Sequence, residues 1–194
     1  MLKYVAAVLI LATGFCAAPP HPAPPRPAPQ IDFEAERYAV YSVLLKEMGE
    51  DPDPKSLSIE DQTSKDFYSK EEWDQIKVDP AWQPALNDYQ AKNSKPVEIE
   101  DKFSLPAKVM LLPHAEVNRF FEEGGGWWEA FYRKYPKATG FITLSNVGFN
   151  PEMNYALVDV GFHCGGLCGN GSLVLLVKKD GKWVIENNFL FWES

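Results

Sequence analysis

The residues whose types and spacing could do chemistry are few, and the densest group is HCGGLCGNG, from His163 to Gly171. Two cysteines four positions apart invite three chemistries: a disulfide, a metal site or a reactive thiol. Four steps along an extended strand span ~13 Å, whereas a disulfide holds its Cα atoms about 4.4–6.8 Å apart. A Cys164–Cys168 bridge therefore needs the chain to double back. Gly165 and Gly166 permit that, at a place where a hairpin loop is expected. For a metal, His163, Cys164 and Cys168 supply three ligands. Zinc takes four, the paired C-x2-C spacing is absent, and a fourth such as His114 or Asp159 would have to come from the fold. For thiol catalysis Cys164 needs an adjacent base, yet strand alternation turns His163 to the opposite face. The disulfide is the expected state, with inert thiols, metal ligation and catalysis as the alternatives.

The second dense stretch is EEGGGWWEAFYRKYP, from Glu122 to Pro136. At helical spacing Trp127, Ala130, Phe131, Lys134 and Tyr135 share one face, with Trp128 and Tyr132 beside it. Such a stripe is either core laid on a sheet or an aromatic platform for a sugar or an apolar ligand. Trp127, Trp128, Phe131 and Tyr135, together with Glu186, form the candidate lining of a ligand cleft. Glu186 enters through the hairpin that Asp180-Gly181 signals, a type I′ turn. A two-residue loop pairs Lys179 with Lys182, Lys178 with Trp183 and Leu176 with Ile185. That register sets Glu186 opposite Leu175 and Asn188 opposite Leu173. A carboxylate beside aliphatics belongs at a sheet margin or inside a partly polar cleft.

Other motifs are absent. The chain has no G-x-S-x-G, no H-E-x-x-H, no phosphate-binding loop and no dinucleotide fingerprint. Asp51 and Asp53 begin like a calcium loop, but Lys55 and Ser56 stand where an acid or amide and a glycine belong. Glu122 and Glu123 have nothing to distinguish them from a solvated helix face. Past His21, only His114 and His163 are available as general bases. Asn170-Gly171-Ser172 is a glycosylation sequon. No cofactor is implied.

The elements that would position these residues fall in two groups. A helix is expected from about Phe33 to Met48, capped by Asp32, with Glu34 and Glu36 at its positive start and Gly49 at its exit. Asp51 to Pro54 then forms a turn. A short strand is expected at Leu57–Asp61, helical pieces at Ser69–Lys77 and Pro80–Lys92, and one strand within VEIEDKF (Val97–Phe103). Helices follow at Ala115–Glu123 and Trp127–Tyr135. From Gly140 the apolar period changes to two, giving strands at Phe141–Val147, Tyr155–Cys164, Leu173–Lys179 and Trp183–Phe191. In the second of these, Ala156, Val158, Val160 and Phe162 face one way, and Tyr155, Leu157, Asp159 and His163 the other. The order implies an α+β fold, with N-terminal helices packed on a C-terminal antiparallel β-meander. If the meander curves over the helices, the result is a cup of the nuclear-transport-factor-2-like kind.

The chain's beginning bears on where this chemistry takes place. Met1-Leu2-Lys3, the apolar run from Tyr4 and the small residues after it read as a signal peptide over residues 1–18. The apolar run is too short to span a bilayer, and Lys, Asp or Glu interrupts every later one. Cys16 raises lipid anchoring, but Thr13 and Phe15 stand where a lipoprotein signal has Leu-like and small residues, so ordinary cleavage is expected. Residues 19–30 form a Pro-rich linker, and residues 31–194 a single domain. Lys3 and Arg26 are the only charged side chains before Ile31. The domain thus holds 17 of the 19 basic residues and all 27 acidic ones, a net charge of −10. That charge argues against nucleic acid and anionic membrane as partners.

The blocks FYRKYPKATGFITLSNVGFN (Phe131 to Asn150), ALVDV (Ala156 to Val160) and CGGLCGNGSLVLLVKKDGKW (Cys164 to Trp183) resemble a group of exported bacterial proteins of unassigned function. The likeness covers the C-terminal third well and the first half loosely. It implies a secreted or periplasmic bacterial protein, with the Cys-Gly loop as a signature, and it brings no catalytic residues. The resulting expectation is a non-catalytic module that binds a small ligand or a cell-envelope protein. The alternative is an enzyme using a metal or thiol site at His163, Cys164 and Cys168.

Overall fold

Asp32 caps the first helix as its side chain predicts. Its Oδ1 accepts from the backbone N–H groups of Glu34 and Ala35, each at 3.1 Å, at the start of α1, Phe33–Met48. The structure, a computed structural model, describes residues 32–48, 56–65, 68, 73, 76, 79–124 and 126–194. The expected signal peptide, linker and Cys16 lie outside the described residues. So do Gly49, the Asp51–Pro54 turn and most of the helix expected at Ser69–Lys77.

After α1 come β1 (Ser56–Glu60), a 3-10 turn (Pro80–Trp82) and α2 (Gln83–Lys92). β2 (Lys108–Leu112), α3 (His114–Phe121) and α4 (Trp127–Lys134) follow. The rest is strand: β3 (Phe141–Leu144), β4 (Gly148–Phe149), β5 (Tyr155–Gly165), β6 (Cys168–Lys179) and β7 (Lys182–Glu193). The strands form one sheet in the order β2-β1-β3-β5-β6-β7, with β4 also on β5. The fold is α+β. Its C-terminal part is the expected antiparallel meander, but β1 and β2 from the first half extend it, with β1 parallel to both β2 and β3.

The strand expected in VEIEDKF is corrected. Only a single bridge, Gln62 to Glu98, forms there, and Ile99 is its one buried anchor. The strand in this region is KVMLL, Lys108–Leu112. Its run is apolar without alternation because both faces are covered: Val109 and Leu111 pack on one side, Met110 and Leu112 on the other.

The two faces of the sheet have separate cores. On one, Tyr38, Val40, Tyr41, Leu44 and Leu45 of α1 pack over Ile59, Ile142, Ala156, Val158 and Val160. On the other, α2 and the turn before it cover Leu157, Leu173 and Leu175 through Trp82, Ala85, Leu86 and Tyr89. Further along that face, Val117 of α3 and Phe131 of α4 cover Leu112 and Phe141. Each fully buried side chain of this size contributes about 1.5–3 kcal/mol. The alternation expected in β5 is the one observed, and it leaves Asp159 and His163 between the two helical covers.

At the last hairpin Asp180 and Gly181 have φ of 50° and 76°, the left-handed pair of a type I′ turn. Lys179↔Lys182, Lys178↔Trp183 and Leu176↔Ile185 pair as expected. Beyond them the register is corrected: Asn187 lies opposite Leu175 and Asn188 opposite Val174. Glu186 is the extra residue of a β-bulge. The bulge turns it out to Lys179, 2.8 Å away, and sets Phe189 opposite Leu173, with Phe189 and Phe191 packed on the α2 core. No helix among the described residues is long and apolar enough to cross a membrane.

Candidate functional site

One transverse row of the sheet explains the site. Thr143 pairs with Gly161, Gly161 with Gly171, and Gly171 with Trp192. One residue on from the Ile59↔Ile142 pair, Glu60 of β1 stands beside Thr143. This row is the floor of a cavity of about 630 Å³, roofed by α3 through Val117, Asn118 and Phe121. A volume in this range suits a small organic ligand, for which pockets of about 300–1,000 Å³ are usual.

The glycines matter because of what lies on them. A Cβ on Gly171 would overlap the Trp192 indole nitrogen, and one on Gly161 would come within 2.6 Å of the Thr143 hydroxyl and 2.9 Å of the His163 ring. Without side chains there, the glycines leave room for the rings. His163 stacks on Phe141, centroids 4.9 Å apart at 19°, and Trp192 lies 5.1 Å from His163 at 31°. The three rings stack one against the next into an aromatic slab along one wall. Burial pushes the His163 imidazole down to about 4, so the slab is uncharged at neutral pH.

The polar groups of the lining are tied to one another. His114 Nδ1 lies 2.6 Å from Glu60 Oε2, and its Nε2 lies 2.9 Å from Asn118 Nδ2. Asp61 Oδ1 accepts the backbone N–H of His114 at 2.8 Å, which pins the start of α3. An Asn118 N–H donated to Nε2 leaves the proton on Nδ1, facing the carboxylate. Burial raises the Glu60 carboxyl above its ordinary value, and the hydrogen bond and charge of His114 pull it back in part. Thr143 Oγ1 lies 3.3 Å from His163 Nε2. The Tyr68 hydroxyl donates to Asp159 Oδ2, and Ser145 Oγ accepts the Asp159 backbone N–H at 2.7 Å.

The sequence candidates are placed as follows. Cys164 and Cys168 are joined as a disulfide, with Cα atoms 5.2 Å apart, and the chain doubles back through Gly166 and Leu167. The Tyr132 hydroxyl donates to the Cys164 carbonyl at 2.7 Å and ties α4 to this hairpin. Closing so small a loop stabilises by about 2 kcal/mol at most. His163 does face away from the cysteines, into the cavity.

The expected cleft is dispersed by the structure. Phe131 is fully buried, Trp128 stacks between Tyr132 and Phe141, and Tyr135 packs on the same cluster. These aromatics are core under α3 and α4, because the helix turns its stripe onto the sheet. Trp127 is 61% exposed and touches Phe121 edge-on. Glu186 lies elsewhere, beside Trp82 and Tyr155 in a shallow depression of about 220 Å³. None of the five lines the large cavity. His114, Asp159 and His163, weighed as possible metal ligands, do meet at it. No group of three or more His, Cys, Asp or Glu able to hold a metal ion exists among the described residues.

Glu60, Asn118, Thr143, Tyr68 and Trp192 carried no motif. The usable signals were an acid in the middle of an apolar strand, at Asp159, and the helical i, i+4 spacing of His114 and Asn118. Compared with protein-family models, with curated proteins and with solved structures, the chain matches none.

Proposed function

We propose that this is an exported, non-catalytic binding protein, of secreted or periplasmic bacterial type, that holds a small, largely apolar ligand between α3 and the sheet. The observation that carries the reading is the cavity of about 630 Å³ with an aromatic wall and a few convergent polar groups. The apolar run at residues 4–11 and the Cys164–Cys168 bridge support export, since such bonds persist in oxidising compartments. The α3 roof over the sheet also supports the cup-like reading of the fold.

Binding is favoured over catalysis by how the polar groups are used. Both ring nitrogens of His114 are engaged, by Glu60 and by Asn118, and His163 Nε2 faces Thr143. Among the described lining residues the hydroxyl beside a histidine is that of Thr143, and no third group orients His163 as a general base would need. At the Cys-Gly loop the two sulfurs are bonded to each other and offer no thiolate while that bond stands.

The test is a screen of mixed aromatic and aliphatic fragments by protein-observed NMR. Binders should shift the Trp192 indole and His163 ring signals, and replacing Trp192 with Ala should weaken them together. If every binder shifts only residues away from the cavity, or none binds, the proposal is wrong.

A further inference from the structure

Glu60 carries an unused valence into the cavity. Its side chain is 8% exposed, and His114 occupies Oε2. No described residue donates to Oε1, and Oε1 is not sealed off in the interior. Oε1 therefore opens toward the cavity with its lone pairs free for a donor that a ligand brings. The rest of the lining says which kind. The acids are Glu60 and Asp159, two strands apart on one face. The one fixed cation among the described lining residues is Lys65, which is exposed. The domain's net charge of −10 has the same sign. An anionic ligand would meet the Glu60 carboxylate and, among the described lining residues, no fixed cation but Lys65. Beside Glu60 and Thr143 runs the uncharged aromatic slab of Phe141, His163 and Trp192, against which an aromatic ligand can pack.

From this juxtaposition we infer that the ligand is an aromatic amine: a flat ring stacked on the Phe141–His163–Trp192 slab, with a side-chain ammonium donated to Glu60 Oε1. The inference rests on the proposed binding role and narrows it to a charge class. An ammonium–carboxylate hydrogen bond is roughly twice as strong as a neutral one. It also offsets the cost of holding Glu60 ionised in a buried position.

Three probes with one ring separate the classes: tryptamine, its neutral alcohol tryptophol, and indole-3-acetate. Calorimetric titration of the whole exported chain should show tryptamine binding about tenfold tighter than tryptophol, with indole-3-acetate weakest. Glu60→Gln should bring tryptamine down to the level of tryptophol. Tryptophol affinity in that variant should stay near that of the unaltered protein, which shows that the cavity is still formed. Equal binding of the amine and the alcohol in the unaltered protein, both shifting Trp192, overturns the charge assignment and leaves the binding cavity standing. Tightest binding by the acetate, or a tryptamine preference that survives Glu60→Gln, overturns it as well. If none of the three binds, the aromatic-amine assignment fails, whereas the binding role is decided by the mixed fragment screen.

Discussion

His163 shows at the residue scale what the cavity costs the fold. Its imidazole is held at about 4 by burial, below the ordinary 6.5. As pH falls the unfolded chain takes up this proton first. The residue's contribution is thus complete above about 6.5 and is lost as pH drops through about 4, on the order of 3 kcal/mol over that window. Glu60 acts in the opposite sense. Its raised carboxyl keeps its proton longer in the folded chain, so its contribution declines as pH rises above 4.5. Comparing the protein with His163→Phe separates the two. Urea unfolding at pH 7 and pH 4.5 should show the unaltered protein losing roughly 2–3 kcal/mol more than the variant. Parallel losses would remove His163 as the cause.

Among the elements, the β5–β6 hairpin and β7 owe their shape to glycines that leave room for rings. Gly171→Ala should destabilise by about 1–3 kcal/mol, the usual cost of overpacking. In the double variant with Trp192→Ala, the extra cost of the alanine at 171 should largely vanish, because the indole it would strike is gone. Denaturation of the four proteins of this cycle measures the coupling, and strict additivity would refute the contact. This scale also shows what was legible in the chain. Asp32, Asp180-Gly181 and the alternation of β5 act through neighbours in sequence, so their roles could be read locally. The bulge at Glu186 could not, since an extra residue in one strand depends on which partner residues need covering across the sheet. The aromatic helix was legible as a stripe, but a stripe has the same spacing whether it faces core or ligand.

For the molecule as a whole, the site was the least legible part, and the reason is separation. Glu60 and His114 are 54 positions apart in the chain, and Tyr68 and Asp159 are 91 apart. Only the tertiary fold makes them neighbours. The same fact bears on how the protein reaches its native state. β3 to β7 join mostly through short turns and form from contacts close in sequence. β1 must find β3 across more than 80 residues, with β2 then laid on it in parallel, and such distant pairings form slowly. The cavity lies along that seam, with Glu60 and His114 on the late side and Asp159, His163 and Trp192 on the early side. Native-state hydrogen exchange should show the β1 and β2 amides opening at lower free energy than those of β5 and β6, and uniform protection would contradict it. A ligand bridging the seam would therefore do more than occupy space. It would slow the opening of the β1–β3 joint and act as the clasp that keeps the late-docking half in place.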